Sequence, residues 1–192
     1  MPNEEFISTD TVRKKLIIAG ITELEEHGIS DFSLRRVASA SNVSCAAPYK
    51  HFKSKEDFIG AIIEYIYNQW LMLSDQIVSI FDGDTEKQLT ELCVAYTRFC
   101  MGNSHFRSVI MMDTNSITTD NTDIKQHISG CIENLTTAYL TDKKVPPEVQ
   151  KQIMFRINAM VQATALISDN TLSNDDTVEM LRECILSDIR NF

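Results

Sequence analysis

Residues 42–57, NVSCAAPYKHFKSKED, combine cations, small side chains and aromatic rings in a pattern that suits contact with a polyanion. Three residues near the start of this stretch have small or sulfur-bearing side chains: Cys45, Ala46 and Ala47. The basic side chains follow them and are those of Lys50, His51, Lys53 and Lys55. A slim surface allows another molecule to approach closely, and the neighbouring cations can then hold its phosphates. The stretch therefore predicts a binding surface.

The charge of the chain is unevenly distributed along the sequence. The formal net charge is −9, which by itself opposes nucleic-acid binding. From residue 32 to residue 55, however, there are five Lys or Arg and no Asp or Glu, whereas residues 61–192 hold 10 Lys or Arg and 18 Asp or Glu. A basic region on an acidic body attracts a polyanion at one face only. We therefore expect the anion-binding surface within the first third of the chain.

The elements that position this stretch are predicted to be helices. Hydrophobic residues make up 43 % of the chain and recur at helical spacing, while the 6 Gly and 4 Pro leave the periodic segments largely uninterrupted. The expected start and stop signals are Thr9 or Asp10, Gly28, Ser33, Ser44 and Ser54. A long helix should run from Ser54 to the FDGD segment. Further helices are expected at about 85–102, 104–112, 120–140, 147–168 and 174–190.

Two of the short helices form a helix-turn-helix in this prediction. The segment SNVS joins them, and Asn42 within it can adopt a left-handed backbone conformation. Such a motif inserts the N-terminal residues of its second helix into the major groove of DNA. Amides at the helix starts near Ser33, Ser44 and Ser54 would favour phosphate oxygens. The predicted division is a DNA-binding domain over residues 1–54 and an acidic helical body over residues 55–192.

The first 60 or so residues resemble the DNA-binding region of the TetR family of transcriptional regulators. Three segments carry the resemblance: HGIS, FSLRRVASASNVS and YKHFKSKEDF. It implies an all-α homodimer in which residues 55–192 bind a small-molecule effector and provide the dimer contacts. The partner would be double-stranded DNA with a palindromic operator, and the regulator would most often be a repressor. The last two helices would pair with those of the second subunit as a four-helix bundle.

The resemblance also assigns roles to individual residues. Phosphate contacts are expected from Ser33, Tyr49, His51 and Lys55, and base contacts from Cys45, Ala46 and Lys50. The helix start at Ser44 and one of two adjacent arginines, taken here as Arg35, complete the candidate DNA-binding set. Phe52 is expected to pack inward. The sequence departs from the family pattern at Asn42, where Gly is usual, and at Ala47-Pro48, where Thr-Leu is common, so the base preference stays open.

The helical body carries weaker signals for a ligand. Its aromatic and methionine residues are mostly expected in the core, with some of them lining an apolar pocket. The candidate ligand-binding residues are Tyr96, Phe99, His105 and His127. Cys93 and Cys100 lie seven residues apart on one helix face and are expected to fill the core. The five cysteines and the histidines show no metal-ligand spacing, so no metal or cofactor is expected.

The sequence contains no catalytic motif of the GxSxG, Walker or HExxH type, so we do not expect an enzyme. The polar start MPNEEFISTD and the lack of a long apolar run indicate a cytoplasmic protein with no membrane partner. The predicted function is ligand-responsive, sequence-specific regulation of transcription. The alternative is a helical adaptor or small-molecule-binding protein with a vestigial DNA-binding head.

Overall fold

The computed structural model describes residues 4–103, 121–166 and 174–192, and its regular elements in these ranges are all α-helices. In chain order they are α1 (Glu4–His27), α2 (Leu34–Ala40), α3 (Ala47–His51), α4 (Lys55–Ile80), α5 (Thr85–Gly102), α6 (Asn121–Asp142), α7 (Pro147–Leu166) and α8 (Asn174–Arg190). The all-α prediction is confirmed. The helix expected at 104–112 lies outside the described residues. No helix in the described ranges is long and apolar enough to cross a membrane.

The first helix is longer than the sequence predicted. It begins at Glu4, so the start expected at Thr9 or Asp10 is wrong, since both residues lie within the helix. Acidic residues are favoured at the positive end of a helix dipole, and Glu4 and Glu5 stand at the observed start. The expected stop is confirmed, because Gly28 has a φ of 68° and its amide donates to the Leu24 carbonyl at 2.9 Å.

The three N-terminal helices pack on one another and on the start of the long helix α4. α1 contacts α2, α3 and α4, and α2 also contacts α3. The buried apolar residues of this region are Leu16, Ile17, Leu24, Phe32, Leu34, Val37, Phe52, Phe58 and Ile62. A continuous core therefore holds the two helices of the predicted helix-turn-helix at a fixed angle to α4.

The body is built around α5, which contacts α4, α6, α7 and α8. Both cysteines of α5, Cys93 and Cys100, are buried as predicted. Three ion pairs join the antiparallel helices α5 and α8, and they link Glu86 to Arg190, Glu91 to Arg182 and Arg98 to Asp175. Because α4 contacts both α1 and the body helices, it connects the N-terminal region to the rest of the molecule.

Candidate nucleic-acid interface

The start of α2 is fixed by a side-chain cap. Ser33 has an extended backbone (φ −125°, ψ 111°), and its hydroxyl accepts a hydrogen bond from the Arg36 amide at 3.4 Å. The cap predicted from the sequence is therefore confirmed. It pairs one of the amides that have no partner within the first turn of α2.

A buried carboxylate, which the sequence analysis did not single out, holds this helix start against α1. Glu23 is only 6 % exposed and accepts hydrogen bonds from the Ser33 amide at 3.0 Å and from Arg36 Nε at 2.7 Å. Burial raises the pKa of Glu23, but the hydrogen bonds from Arg36 and Ser33 outweigh it, so this pKa lies below its ordinary value. The available signal was its position three residues after Gly20, on the apolar face of α1.

The same contacts separate the roles of the two adjacent arginines. Arg36 is held by Glu23 and also donates to the backbone carbonyl and carboxylate of Asp31. Its neighbour Arg35 is exposed at the surface of α2. The sequence predicted that only one of the pair faces DNA, and Arg36 is engaged within the protein.

The turn before α3 has the predicted backbone conformation, but the helix starts later than expected. Asn42 has a φ of 53°, which is the left-handed conformation expected at this position. α3 begins at Ala47, and the helix start predicted at Ser44 is wrong. The backbone carbonyl of Ser44 accepts from the Ala47 amide at 2.9 Å, so this serine closes a turn instead of capping a helix with its side chain. Pro48 then lies in the first turn of α3, where its lack of an N–H is tolerated.

The residues around the start of α3 form an exposed surface. Cys45, Ala46 and Lys50 are exposed, and the Tyr49 side chain is 66 % exposed. His51 is half-buried, with its ring centroid 6.2 Å from that of Phe52. The candidate base-contacting residues are thus accessible from solvent.

The far side of α3 is anchored by stacked aromatic rings. Phe52 is buried as predicted and stacks on Phe58 of α4, with ring centroids 4.0 Å apart. Phe32, which precedes α2, meets Phe58 edge-on at 5.6 Å. The Arg13 guanidinium lies over the Phe52 ring at 5.4 Å. These contacts fix the position of α3 relative to α1, α2 and α4.

The start of α4 carries the second confirmed cap. The Ser54 hydroxyl accepts from the Asp57 amide at 3.1 Å, and the Asp57 carboxylate accepts from the Lys53 amide at 2.7 Å. A standard capping box would return this second bond to the cap residue itself, and the shorter aspartate instead reaches the preceding amide. Lys55 Nζ donates to the Ser30 carbonyl at 3.3 Å, which brings this cation beside the start of α2.

These local features converge on one open cleft of about 470 Å³. Its lining includes four of the predicted DNA-binding residues, namely Ser33, Arg35, Tyr49 and Lys55. The residues come from the starts of α2 and α4 and from α3, so three segments contribute to one surface. The remaining candidates, Ser44, Cys45, Ala46, Lys50 and His51, lie outside that lining, in the turn before α3 and on α3 itself.

The candidate ligand residues lie far along the chain from this cleft. Tyr96 and Phe99 belong to α5, where both rings pack against Trp70 of α4. His105 lies outside the described residues, and His127 lies on α6 in a stretch whose side chains are not described. Within the described part of the chain, no group of three His, Cys, Asp or Glu residues is arranged to hold a metal ion.

Residues 16–62 match the family model for bacterial regulatory proteins of the tetR family. The match covers the N-terminal segment alone, and this segment is of the TetR type. The match begins in α1 and ends in α4, so it includes the cleft and the whole helix-turn-helix. No curated protein sequence matches the chain at a significant level.

Solved structures of TetR-family proteins share the fold along nearly the whole chain. A TetR/AcrR-family transcriptional regulator from Thermobifida fusca is 20 % identical, with a TM-score of 0.72 over 91 % of this chain and 96 % of that one. A TetR-family regulator from Bordetella parapertussis is 14 % identical, with a TM-score of 0.70 over 91 % and 94 %. FadR from Bacillus subtilis, solved with stearoyl-CoA, is 12 % identical, with a TM-score of 0.69 over 91 % and 98 %. At these sequence identities, the similarity of the body helices shows a shared fold and nothing further.

Proposed function

We propose that this protein is a TetR-family, ligand-responsive repressor that binds a palindromic operator and is released from it by a small molecule. The observation that carries the proposal is the cleft in which Ser33, Arg35, Tyr49 and Lys55 meet beside the exposed surface of α3. Three helix segments present hydrogen-bond donors and cations there, as contact with a phosphate backbone requires. A regulator of this kind acts on the chromosome, so the proposal places it in the cytoplasm.

In this proposal, one set of residues positions the protein on the phosphate backbone and another set recognises the base sequence. Ser33, Arg35, Tyr49, His51 and Lys55 contact phosphates on both sides of the groove, together with the backbone near Ser44. Cys45 and Ala46 let the start of α3 approach the base edges closely. Lys50 is the residue that can donate strongly to a guanine in the major groove. The cleft would therefore set the register of the protein on DNA, and the surface of α3 would select the sequence.

The active form in this proposal is a homodimer formed through α7 and α8. Each of these helices buries one face in the body and leaves large apolar side chains on the other, with Phe155 75 % exposed and Met180 55 % exposed. Such residues are suited to a helix-to-helix interface. Two-fold symmetry then requires a palindromic site whose half-sites are about 34–36 Å apart, or somewhat more.

The effector in this proposal binds within the helices of residues 55–192 and favours a dimer with the wrong spacing. α4 begins at the DNA-binding surface and runs into the body, so a shift at one end displaces the other. A 100-fold loss of operator affinity needs a difference in effector affinity between the two forms of about 2.8 kcal/mol. Acyl-CoA thioesters are a reasonable first class to test, because the similar FadR structure from Bacillus subtilis holds stearoyl-CoA.

Selection of bound sequences from random double-stranded DNA tests the proposal. We expect an enriched palindrome, and a footprint that shrinks when acyl-CoA or another metabolite from a panel is added. The affinity should fall steeply with salt, with a log–log slope of about −0.9 for each neutralised phosphate. Enrichment of no sequence, even at low salt, would refute a role in DNA recognition.

A further inference from the structure

The core of the body contains a polar hydrogen without an acceptor. Trp70 of α4 is fully buried, and its Nε1 has no hydrogen-bond partner among the described residues. Buried N–H groups are nearly always paired, since an unpaired donor in an apolar interior is destabilising. A single orphaned donor of this kind indicates that another molecule supplies the acceptor.

Two aromatic rings pack against the indole that carries this donor. The ring of Tyr96 meets the indole edge-on with centroids 5.3 Å apart, and Phe99 lies tilted against it at 5.7 Å. Phe99 is only partly buried, so the aromatic cluster extends from the core toward the surface of the body. Walls of this type favour an apolar ligand with a small number of polar groups.

The described body core offers no charge to balance an ionised ligand. Among the described residues, the one buried charged side chain is Glu23, which is engaged with Arg36 in the N-terminal domain. Next to the cluster, the Tyr96 hydroxyl accepts from Gln162 at 3.2 Å, and both groups are uncharged. Burying a carboxylate or ammonium at the indole without a counter-charge would be costly. The acceptor that best fits this site is therefore a neutral one.

We infer that Trp70 donates its indole N–H to a carbonyl oxygen within an uncharged, largely apolar part of the effector. This inference rests on the proposed ligand response and adds to it the polar contact and the chemical class of the compound. Tyr96 and Phe99 of α5 supply aromatic walls against the indole, and Gln162 holds the Tyr96 hydroxyl in place. The carbonyl belongs to a ketone, ester, amide or thioester, and an alkyl or aryl group of the ligand contacts the rings.

The test uses the fact that the chain has one tryptophan. Protein labelled with ¹⁵N-tryptophan gives a single indole resonance, which reports on this N–H directly. The probes are alkyl phenyl ketones from acetophenone to octanophenone, each paired with the alkylbenzene of the same carbon count and with a carboxylate of similar size. We expect at least one ketone to shift the indole proton downfield. It should bind roughly 10-fold to 100-fold more tightly than its alkylbenzene, the factor set by pairing a buried donor.

Trp70→Phe is the matched variant, with folding checked by circular dichroism and ketone binding measured by calorimetry. It should bind the ketone and the alkylbenzene with nearly equal affinity. Equal affinities in the wild-type protein, an indole resonance that no ketone moves, or tighter binding of the carboxylate would each overturn the inference.

Operator binding separates this inference from the proposed function. Suppose that the protein selects a DNA site and that an effector releases wild type and Trp70→Phe from it equally. The proposed regulatory function is then supported and the Trp70 contact is refuted. If no DNA site is selected but the ketone shifts the indole resonance, the contact stands and the regulator is refuted.

Discussion

At the scale of single residues, the helix start that faces the cleft depends on the carboxylate of Glu23. This side chain accepts from the Ser33 amide and from Arg36, so it joins α1 to the first turn of α2. We predict that Glu23→Gln lowers the free energy of unfolding by about 1–3 kcal/mol, because the buried carboxylate loses its charge and with it the charge-assisted bond from Arg36. Urea unfolding at pH 7 measures the change. Glu64→Gln, at an exposed carboxylate on α4, is the control and should change stability by less than about 0.5 kcal/mol.

The pH dependence of this effect has a definite sign. The pKa of Glu23 is depressed in the folded protein, so its contribution is present above the unfolded-state value of about 4.5 and is lost as the pH falls through the folded value. The difference in stability between wild type and Glu23→Gln should therefore shrink below about pH 4.5. A difference that stays constant from pH 7 to pH 3 would mean that the carboxylate charge does not stabilise the domain.

Substitution of two lysines at the candidate interface is predicted to change DNA binding in different ways. Lys55→Ala should weaken binding to all DNA sequences alike and reduce the salt slope by about 0.9, since one phosphate contact is lost. Lys50→Ala should change the preferred sequence, because this residue is the one proposed to contact a base. Affinity against salt and repeated selection from random DNA measure the two effects. Lys151→Ala, which removes an exposed cation paired with Glu148 in the body, should change neither.

At this scale, the sequence predicted the features that depend on a residue and its immediate neighbours. The caps at Ser33 and Ser54 and the left-handed Asn42 follow from the residue type and its neighbours, so the sequence predicted them. The buried bond between Glu23 and Arg36 joins residues 13 positions apart, and it forms only when α1 and α2 have packed. The roles of the other interface residues stay predictions until DNA is bound.

At the scale of elements, α1 and α4 approach so closely that a glycine is needed between them. A Cβ on Gly20 would lie 2.7 Å from the Ile62 Cδ1 and 3.1 Å from the Phe58 ring. Both neighbours are fully buried, and Phe58 belongs to the aromatic stack under α3, so an added Cβ would force a shift within this core. The contact therefore links packing between α1 and α4 to the position of α3.

Gly20→Ala and Gly60→Ala form a matched pair for this contact. Both glycines lie inside helices, and a Cβ on Gly60 would meet nothing within 4 Å. Gly60→Ala should stabilise the protein by up to about 1 kcal/mol through helix propensity. Gly20→Ala gains the same stabilisation from helix propensity, but the added methyl group overpacks the core, which costs about 1–3 kcal/mol. Thermal unfolding should rank Gly60→Ala above Gly20→Ala, and equal midpoints would contradict the close approach.

Among the ion pairs between α5 and α8, the one formed by Glu86 is predicted to contribute most to stability. It accepts from Arg190 Nε at 3.1 Å and from the Tyr139 hydroxyl of α6 at 3.0 Å, so it joins three helices. The Arg190 hydrogen bond holds the pKa of Glu86 below its ordinary value. Glu86→Gln should cost about 1 kcal/mol at pH 7, whereas Arg98→Gln, which breaks an exposed pair, should cost less than about 0.5 kcal/mol. Chemical unfolding of both variants compares them, and similar costs would assign no special role to Glu86.

The predicted helix bounds were most accurate where a cap or a turn marks them. α5 was expected at 85–102 and α8 at 174–190, and both occupy these residues. Asp84 explains the first case, since its side chain caps α5 by accepting from the Lys87 amide. The starts of α1 and α3 were misplaced, because neither helix uses the Ser, Thr or Asp residue that was expected to cap it. α1 begins at Glu4, and α3 follows Ala46, which makes no side-chain cap bond.

At the scale of the whole molecule, the uneven charge distribution and the long helix α4 both relate the cleft to the body. The body is strongly acidic and the basic residues concentrate near the cleft, so an approaching duplex is attracted to one face and repelled from the rest. α4 has 26 residues and spans about 39 Å from that face into the body. The sequence could predict this layout from charge and periodicity. It could not rank the body residues around a ligand, because apolar core and apolar pocket have the same composition.

Phe155 is predicted to control both assembly and operator binding. It is 75 % exposed on α7, on the side of the helix away from the buried Ile153 and Ile157. Phe155→Glu places a charge in the proposed interface, so light scattering should show a monomer at concentrations where wild type is a dimer. Affinity for the full palindrome should fall by 100-fold or more, as an order-of-magnitude expectation, while weak binding to a half-site remains. Ile80→Glu, at a position 72 % exposed on α4, is the matched control and should leave the dimer intact. A dimer that survives Phe155→Glu would place the interface on another surface of the body.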